Sequence, residues 1–315
     1  MRAIIIESFG EKPKLAEISK REGGPTDLQV RLRASSVNGF DLSVVSGSVK
    51  EWMPYELPVT LGRDFAGVVE AVGAGVTRYE PGDEVYGCFF PPTLHDGSWA
   101  EYLVTPEDMF VAPKPRALSF VEAGALGLAG VAALKAVEAV DPRHGEVVLV
   151  IGATGGVGGY SVQLAHARGA HVIATSVPLD DGRLRSMGAD RTIDFTSTDI
   201  VAFVRDQGWA QPVCVIDTVS TAATMSELAA LVPDGSRIAT TPGSADVEGL
   251  AKRGIAATNV WATTEPELLE RLARHADDGD IKPSIERVYP LDKALDAVTN
   301  FRAGSHGKIG ISIAE

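Results

Sequence analysis

Five apolar residues, Val147-Val148-Leu149-Val150-Ile151, run unbroken into Gly152-Ala153-Thr154-Gly155-Gly156-Val157-Gly158-Gly159. An apolar run this short, closed by glycine, predicts a strand buried on both faces. Val162, Leu164, Ala165 and Ala167 behind the loop give the next helix its inner face. Strand-like runs recur at 171–175, 191–194, 213–216, 237–240 and 255–260, with helical stretches between them. Such alternation predicts a doubly wound parallel α/β sheet. Upstream the period falls to two: Leu28, Val30, Leu32 and Ala34 alternate with polar residues, and short strands are expected at 2–6, 65–72, 84–90 and 99–104. Turns at Pro81-Gly82-Asp83 and Asp96-Gly97 separate them, so a mostly β domain with a barrel-like or strongly curved sheet is expected. Asn38-Gly39-Phe40-Asp41-Leu42 interrupts the alternation as a short helix, and helical periodicity sets in at 120–137. The tail reads as helix 265–276, strand 284–289, helix 291–302 and strand 308–312, a segment expected to return to the first domain. The domains are therefore 1–119 with 262–315, and 120–261.

Composition narrows the setting. A chain of 315 residues, 45% hydrophobic, suffices for two cores without disulfide or metal staples. Its two cysteines, Cys88 and Cys214, lie in separate strand-like segments and make neither a disulfide framework nor a four-cysteine zinc site, which suits a reducing cytoplasm. The opening apolar run is shorter than a signal-peptide core, and no segment approaches 18–20 uninterrupted apolar residues, so neither secretion nor a membrane span is expected. A net charge of −13 argues against nucleic acid or an anionic membrane as partner, because both need clustered cations.

The glycine loop is where chemistry enters. Ala153-Thr154-Gly155-Gly156-Val157-Gly158 reads as a dinucleotide fingerprint G-x-G-x-x-G with alanine in first place. Between a buried strand and a helix start, such a loop offers unpaired N–H groups and the positive dipole end to a pyrophosphate. A Gly-rich turn without ligand is the bland alternative, and the strand-loop-helix context favours the cofactor.

Val37-Asn38 with Asp41, the run Leu61-Gly62-Arg63-Asp64-Phe65-Ala66-Gly67, Gly82-Asp83-Glu84-Val85, Trp99-Ala100-Glu101-Tyr102, the glycine loop, Gly188-Ala189-Asp190 and Gly307-Lys308 follow one another in a recognisable order. In these motifs the chain resembles the medium-chain dehydrogenase/reductase superfamily, and within it the zinc-independent quinone oxidoreductases. The resemblance implies a GroES-like substrate domain from both chain ends, a Rossmann cofactor domain between them, an active site in the cleft, and a homodimer. Zinc-dependent members hold a metal at positions that match Asn38, Arg63 and Leu128 here, a set that cannot ligate zinc. What remains is hydride transfer from a reduced nicotinamide to an already electrophilic carbon, in a quinone or an α,β-unsaturated carbonyl.

Individual residues carry two readings each. Asn38 matches a position facing nicotinamide and substrate, and is equally a good helix N-cap with Asp41 at the third position. Arg63 suits an anionic substrate or enolate oxygen, although an ion pair with Asp64 or Asp41 is the favoured reading. Tyr55 and Trp99 offer rings to a flat acceptor, or simply burial. Ser176 ends the second Rossmann strand, where NAD enzymes carry an acidic residue; serine admits a 2′-phosphate, so NADPH is expected. Arg183 or Arg185, with Lys308 from the tail, would supply the positive charge that Asp180 and Asp181 do not. The functional expectation is a zinc-independent NADPH-dependent reductase of quinones or enones. An enoyl-thioester or biosynthetic enone reductase, and a non-catalytic NADPH-binding protein, are its rivals.

Overall fold

The apolar run Val147–Ile151 is an inner strand of a six-stranded parallel sheet. In spatial order the strands are Arg191–Asp194, His171–Ser176, Val147–Ile151, Cys214–Asp217, Arg237–Thr240 and Ala256–Asn259, all paired in parallel. Strand order reverses on either side of Val147–Ile151, which creates a topological switch point beside Cys214–Asp217, the place where such sheets bind ligands. Leu149, Ile173, Val215 and Ile238 lie buried in one core with Met225 and Leu228 of the helix Ala222–Leu231. Fully burying each such side chain contributes about 1.5–3 kcal/mol.

The computed structural model describes residues 1–263 and 265–313, in two compact units: 132–263, which holds this sheet, and 1–131 together with 264–315. The second of these units is β-rich. Its main sheet orders Ile285–Pro290, Lys308–Ser312, Asp27–Ser36, Asp64–Val72, Glu84–Cys88 and Val111–Pro113, with Tyr102–Pro106 also paired to Asp27–Ser36. The alternating residues Leu28, Val30, Leu32 and Ala34 are all buried. The last strand reaches Asp27–Ser36 antiparallel through Gly310, Ile311 and Ser312, so the end of the chain closes a sheet begun near its start. The helix Pro266–Asp277 is fastened to the same unit, its Leu269 carbonyl accepting from Tyr86 Oη at 2.5 Å.

Several boundaries differ from the periodicity. The helix expected at 120–137 is two helices, Phe120–Ala123 and Gly127–Val140. The first is capped by Ser119, with Glu122 bonding back to its N–H, and ends at Gly124, where a Cβ would stand 2.9 Å from the Ala34 carbonyl carbon. That contact leaves room only for glycine at this position. The strand expected from residue 99 starts at Tyr102, because Trp99 and Ala100 pair with the N-terminal segment at Ile4 and Ala3. Lys14–Glu17, Val59–Thr60 and Val111–Pro113 are strands too short for a period to register, and Lys14–Glu17 is largely exposed on both faces.

Candidate active site

The glycine loop leaves the carboxyl end of Val147–Ile151 and enters the helix Gly156–Ala167. Gly152 has φ +82°, in the left-handed region, and a Cβ there would lie 2.1 Å from Thr218 Oγ1. A Cβ on Gly158 would stand 2.2 Å from the Gly152 carbonyl oxygen, so helix and loop meet without room for a side chain. Gly152 N–H donates to Thr175 Oγ1 at 2.9 Å, tying the turn to the neighbouring strand. Gly155 is the N-cap and brings no capping side chain, so the first-turn N–H groups of Gly156, Val157 and Gly158 have no acceptor within the helix. Ala153 is buried beneath the loop. A bare backbone cradle at a dipole's positive end fits a pyrophosphate.

Arg183, on the helix Asp181–Ser186, reaches this loop: Nη2 donates to the Thr154 carbonyl at 3.0 Å and Nε to Asp180 at 2.9 Å. It is thus fixed beside the cradle, its charge partly offset by a buried carboxylate. Arg185 is turned to Asp181, Thr192 and the Asp190 carbonyl instead. Ser176 ends the strand His171–Ser176. It is buried and its hydroxyl donates to the Val177 carbonyl at 2.9 Å, so what it offers a phosphate is small size and no charge, not a donor. At the end of Cys214–Asp217, Asp217 accepts from Val219 and Ser220 N–H groups through Oδ1 while Oδ2 has no partner among the described residues; burial holds its carboxyl above the usual range. Nothing in the sequence pattern singled it out.

In the β-rich unit the expected residues separate into those that converge and those that do not. Asn38 caps the helix Gly39–Ser46 by position, and the Asp41 carboxylate accepts its N–H at 2.8 Å. Its side chain does not cap. The Asn38 amide donates through Nδ2 to Asp64 Oδ2 at 2.8 Å and accepts from Lys308 Nζ at 2.6 Å. Lys308, expected to add charge at the cofactor phosphate, is only 3% exposed and gives its N–H groups to Asn38, to the Val37 carbonyl and to Asp64, both of the latter at 3.3 Å. That expectation is corrected: the ammonium is an internal partner of Asp64.

Arg63 is fully buried, and its guanidinium donates to the Asp96 carbonyl at 3.1 Å and the Thr60 carbonyl at 3.4 Å, with Nε unpartnered among the described residues. Among the described residues it forms no ion pair with Asp41 or Asp64 and is not open to a substrate, which corrects both readings of it. Burial lowers its pKa, opposed by the charge of Asp41. Burial likewise raises Asp41 to about 6, opposed chiefly by Arg63. Trp99 is buried against Gly62, its Nε1 donating to the Ser36 carbonyl at 3.2 Å, so its ring is structural and not a platform for an acceptor. Tyr55 is 42% exposed and packs edge-on to Phe9 at 4.7 Å. The aromatic group that does gather near Asn38 was not foreseen: Phe40, the second residue after it, meets Phe90 at 4.6 Å and the half-exposed Trp52 at 6.0 Å. The Phe89-Phe90 pair was its one visible trace.

Residues 24–116 match the model of the alcohol dehydrogenase GroES-like domain, and residues 187–309 that of the zinc-binding dehydrogenases. A 2-methylene-furan-3-one reductase of Solanum lycopersicum is 33% identical over 292 residues, spanning 90% of this chain and 70% of its own. The chain belongs to the medium-chain dehydrogenase/reductase superfamily. A chloroplast envelope quinone oxidoreductase homolog of Arabidopsis thaliana is 30% identical, covering 86% of this chain and 84% of its own. The quinone oxidoreductase structure from Coxiella burnetii matches with a TM-score of 0.88 at 26% identity, over 100% of this chain and 99% of that one. This member of the superfamily is an oxidoreductase that works on a small molecule with a nicotinamide cofactor.

Zinc is the group the family model's description brings to mind, and the donor set does not fit it. Asn38 already accepts an ammonium at 2.6 Å, Arg63 is a cation, and Leu128 contributes a backbone N–H to Asp64 Oδ1 at 2.5 Å. Asp64, the carboxylate beside Asn38, already accepts from Asn38, Ser36, Lys308 and the Leu128 N–H, so the three matched positions bring a metal ion an engaged amide, a cation and an aliphatic chain. Among the described residues no group of three His, Cys, Asp or Glu side chains has metal-binding geometry.

Proposed function

We propose that the protein is a zinc-independent, NADPH-dependent reductase that delivers hydride to a quinone or an α,β-unsaturated carbonyl. The observation that carries this reading is the Lys308–Asn38–Asp64 network, which engages in hydrogen bonds Asn38, one of the three positions that the family resemblance matches to metal ligands. Without a Lewis acid, an unactivated alcohol or ketone is a poor substrate, and an acceptor already electrophilic is the chemistry that remains.

The cofactor, when bound, supplies the hydride. The first-turn N–H groups of Gly156, Val157 and Gly158 bind its pyrophosphate, and Gly152 and Gly158 keep the backbone close. Ser176, uncharged at the strand end, leaves space for a 2′-phosphate, and Arg183 is a cation held beside the loop. On the acceptor side, Asn38 donates an Nδ2 N–H to the carbonyl oxygen as negative charge builds there. Phe40, Trp52 and Phe90 present aromatic surface to a planar ring. No side chain acts as nucleophile. The enone arm of the proposal draws further support from the tomato relative, named a reductase of a methylene-furanone.

The test is NADPH oxidation by purified protein against 1,4-benzoquinone, 1,4-naphthoquinone, a simple enone and an enoyl thioester. Turnover of a quinone or the simple enone is expected, with NADPH preferred over NADH. Turnover confined to the enoyl thioester would replace this reading with that of a thioester reductase.

A further inference from the structure

Two buried, oppositely charged side chains act on one amide. Lys308 Nζ meets Asn38 Oδ1 at 2.6 Å, Asn38 Nδ2 meets Asp64 Oδ2 at 2.8 Å, and ammonium and carboxylate stand 3.3 Å apart. An ammonium has only donors and a carboxylate only acceptors. Turning the amide over would set its NH2 against the ammonium and its oxygen against the carboxylate, so chemistry fixes which way it faces. Asp64 is held in turn by Ser36 Oγ at 2.7 Å and Leu128 N–H at 2.5 Å, while the Val37 carbonyl receives Lys308 at 3.3 Å. Ion pairs this deeply buried persist only where hydrogen bonds satisfy both partners, and here both are satisfied. The second Nδ2 hydrogen of Asn38 has no partner among the described residues, and at 7% exposure Asn38 is the least enclosed of the three.

We propose that Lys308 and Asp64 are positioning residues that lock and polarise Asn38, so that its remaining Nδ2 N–H is a fixed, strengthened donor to the acceptor's oxygen. This rests on the reading of Asn38 as the acceptor contact. The ammonium on Oδ1 draws electron density out of the amide and strengthens its N–H as a donor, the cooperative effect of a hydrogen-bond chain in a low-dielectric site. Because the carboxylate balances the ammonium, the site offers a directed dipole with no net charge. That is a weaker electrophile than a metal ion and suits an acceptor that needs little activation.

The test uses the intact protein labelled with 15N-asparagine. It has three asparagines, Asn38, Asn259 and Asn300, so its side-chain amide spectrum is simple, and Asn38→Ala identifies the Asn38 pair. The double variant Lys308→Met/Asp64→Asn removes both charges of the pair together, and because it adds a fourth asparagine, the same variant carrying Asn38→Ala as well separates the Asn38 amide pair from the new one at position 64. The Asn38 amide resonances should move while those of Asn259 and Asn300 stay, a readout that needs no turnover. With 1,4-naphthoquinone as acceptor, kcat should fall roughly tenfold, as for other groups that act by orienting a functional ligand, with KM for NADPH little changed. Lys308→Arg should restore most of the loss. Unmoved Asn38 resonances, or an unaltered kcat where they have moved, would overturn the proposal. If Asn38→Ala itself leaves kcat unaltered, the fault lies instead with the reading of Asn38 as the acceptor contact.

Discussion

Asp41 shows how one residue's surroundings set a measurable property. Burial lifts its carboxyl from an ordinary 3.8 to about 6, against the opposing charge of Arg63. With the folded value above the unfolded one, the native state holds the proton more tightly. The stabilising contribution is therefore complete below about pH 4 and lost as pH rises through 6. Asp41→Asn removes the charge at nearly constant shape, so its stability relative to the parent should rise on going from pH 4 to pH 7, by on the order of 3 kcal/mol, and level off above. Urea unfolding of both proteins across that range checks this, and a difference independent of pH would contradict it. Ser176 makes a second residue-scale prediction. Its value lies in being small and uncharged, so Ser176→Asp should raise the Kd for NADPH at least tenfold while changing that for NADH little, as measured by cofactor fluorescence titration. Equal effects on the two cofactors would remove Ser176 from the phosphate site.

At the scale of elements, the glycine loop and its sheet were readable because their causes are local. An apolar run, a turn requiring φ of +82° at Gly152 and a side-chain-free contact at Gly158 all leave marks in consecutive residues. Gly158→Ala should force the loop apart, since its Cβ would lie 2.2 Å from the Gly152 carbonyl oxygen and 2.6 Å from Ala153 Cα. Cofactor affinity should fall tenfold or more, with stability lower by about 1–3 kcal/mol, the usual loss for overpacking. Full cofactor affinity in a folded Gly158→Ala protein would contradict the cradle. The acceptor side was less legible, for a physical reason. Spacing says that Arg63, Trp99 and Lys308 exist in certain motifs, but not whether a long side chain turns inward or outward. Trp99 turns in because its own segment pairs with Ile4 and Leu61, more than thirty residues away. Lys308 turns in because its strand pairs with Asp27–Ser36 and so brings it to Asp64 from 244 residues along the chain. The Phe40–Phe90 contact likewise depends on tertiary folding alone.

At the scale of the whole molecule, the proposed function has an oxidoreductase scaffold, whose family model is that of the zinc-binding dehydrogenases, running its chemistry without a protein-held metal. The matching relatives fix the scaffold; in the proposed reading, the residues at three positions decide the chemistry it supports. Asn38, Arg63 and Leu128 present an amide, a buried cation and an aliphatic chain, and in the proposed reading the Lys308–Asp64 pair takes up the electrostatic task. A strongly acidic chain with net charge −13 makes the few buried cations the more telling, because they are placed against the trend of the composition. The most direct test is NADPH oxidation with 1,4-naphthoquinone or a simple enone after exhaustive treatment with a strong chelator, with residual metal measured by mass spectrometry. Activity should be unchanged in protein holding far less than one metal ion per chain. Loss of activity that zinc alone restores would contradict the account.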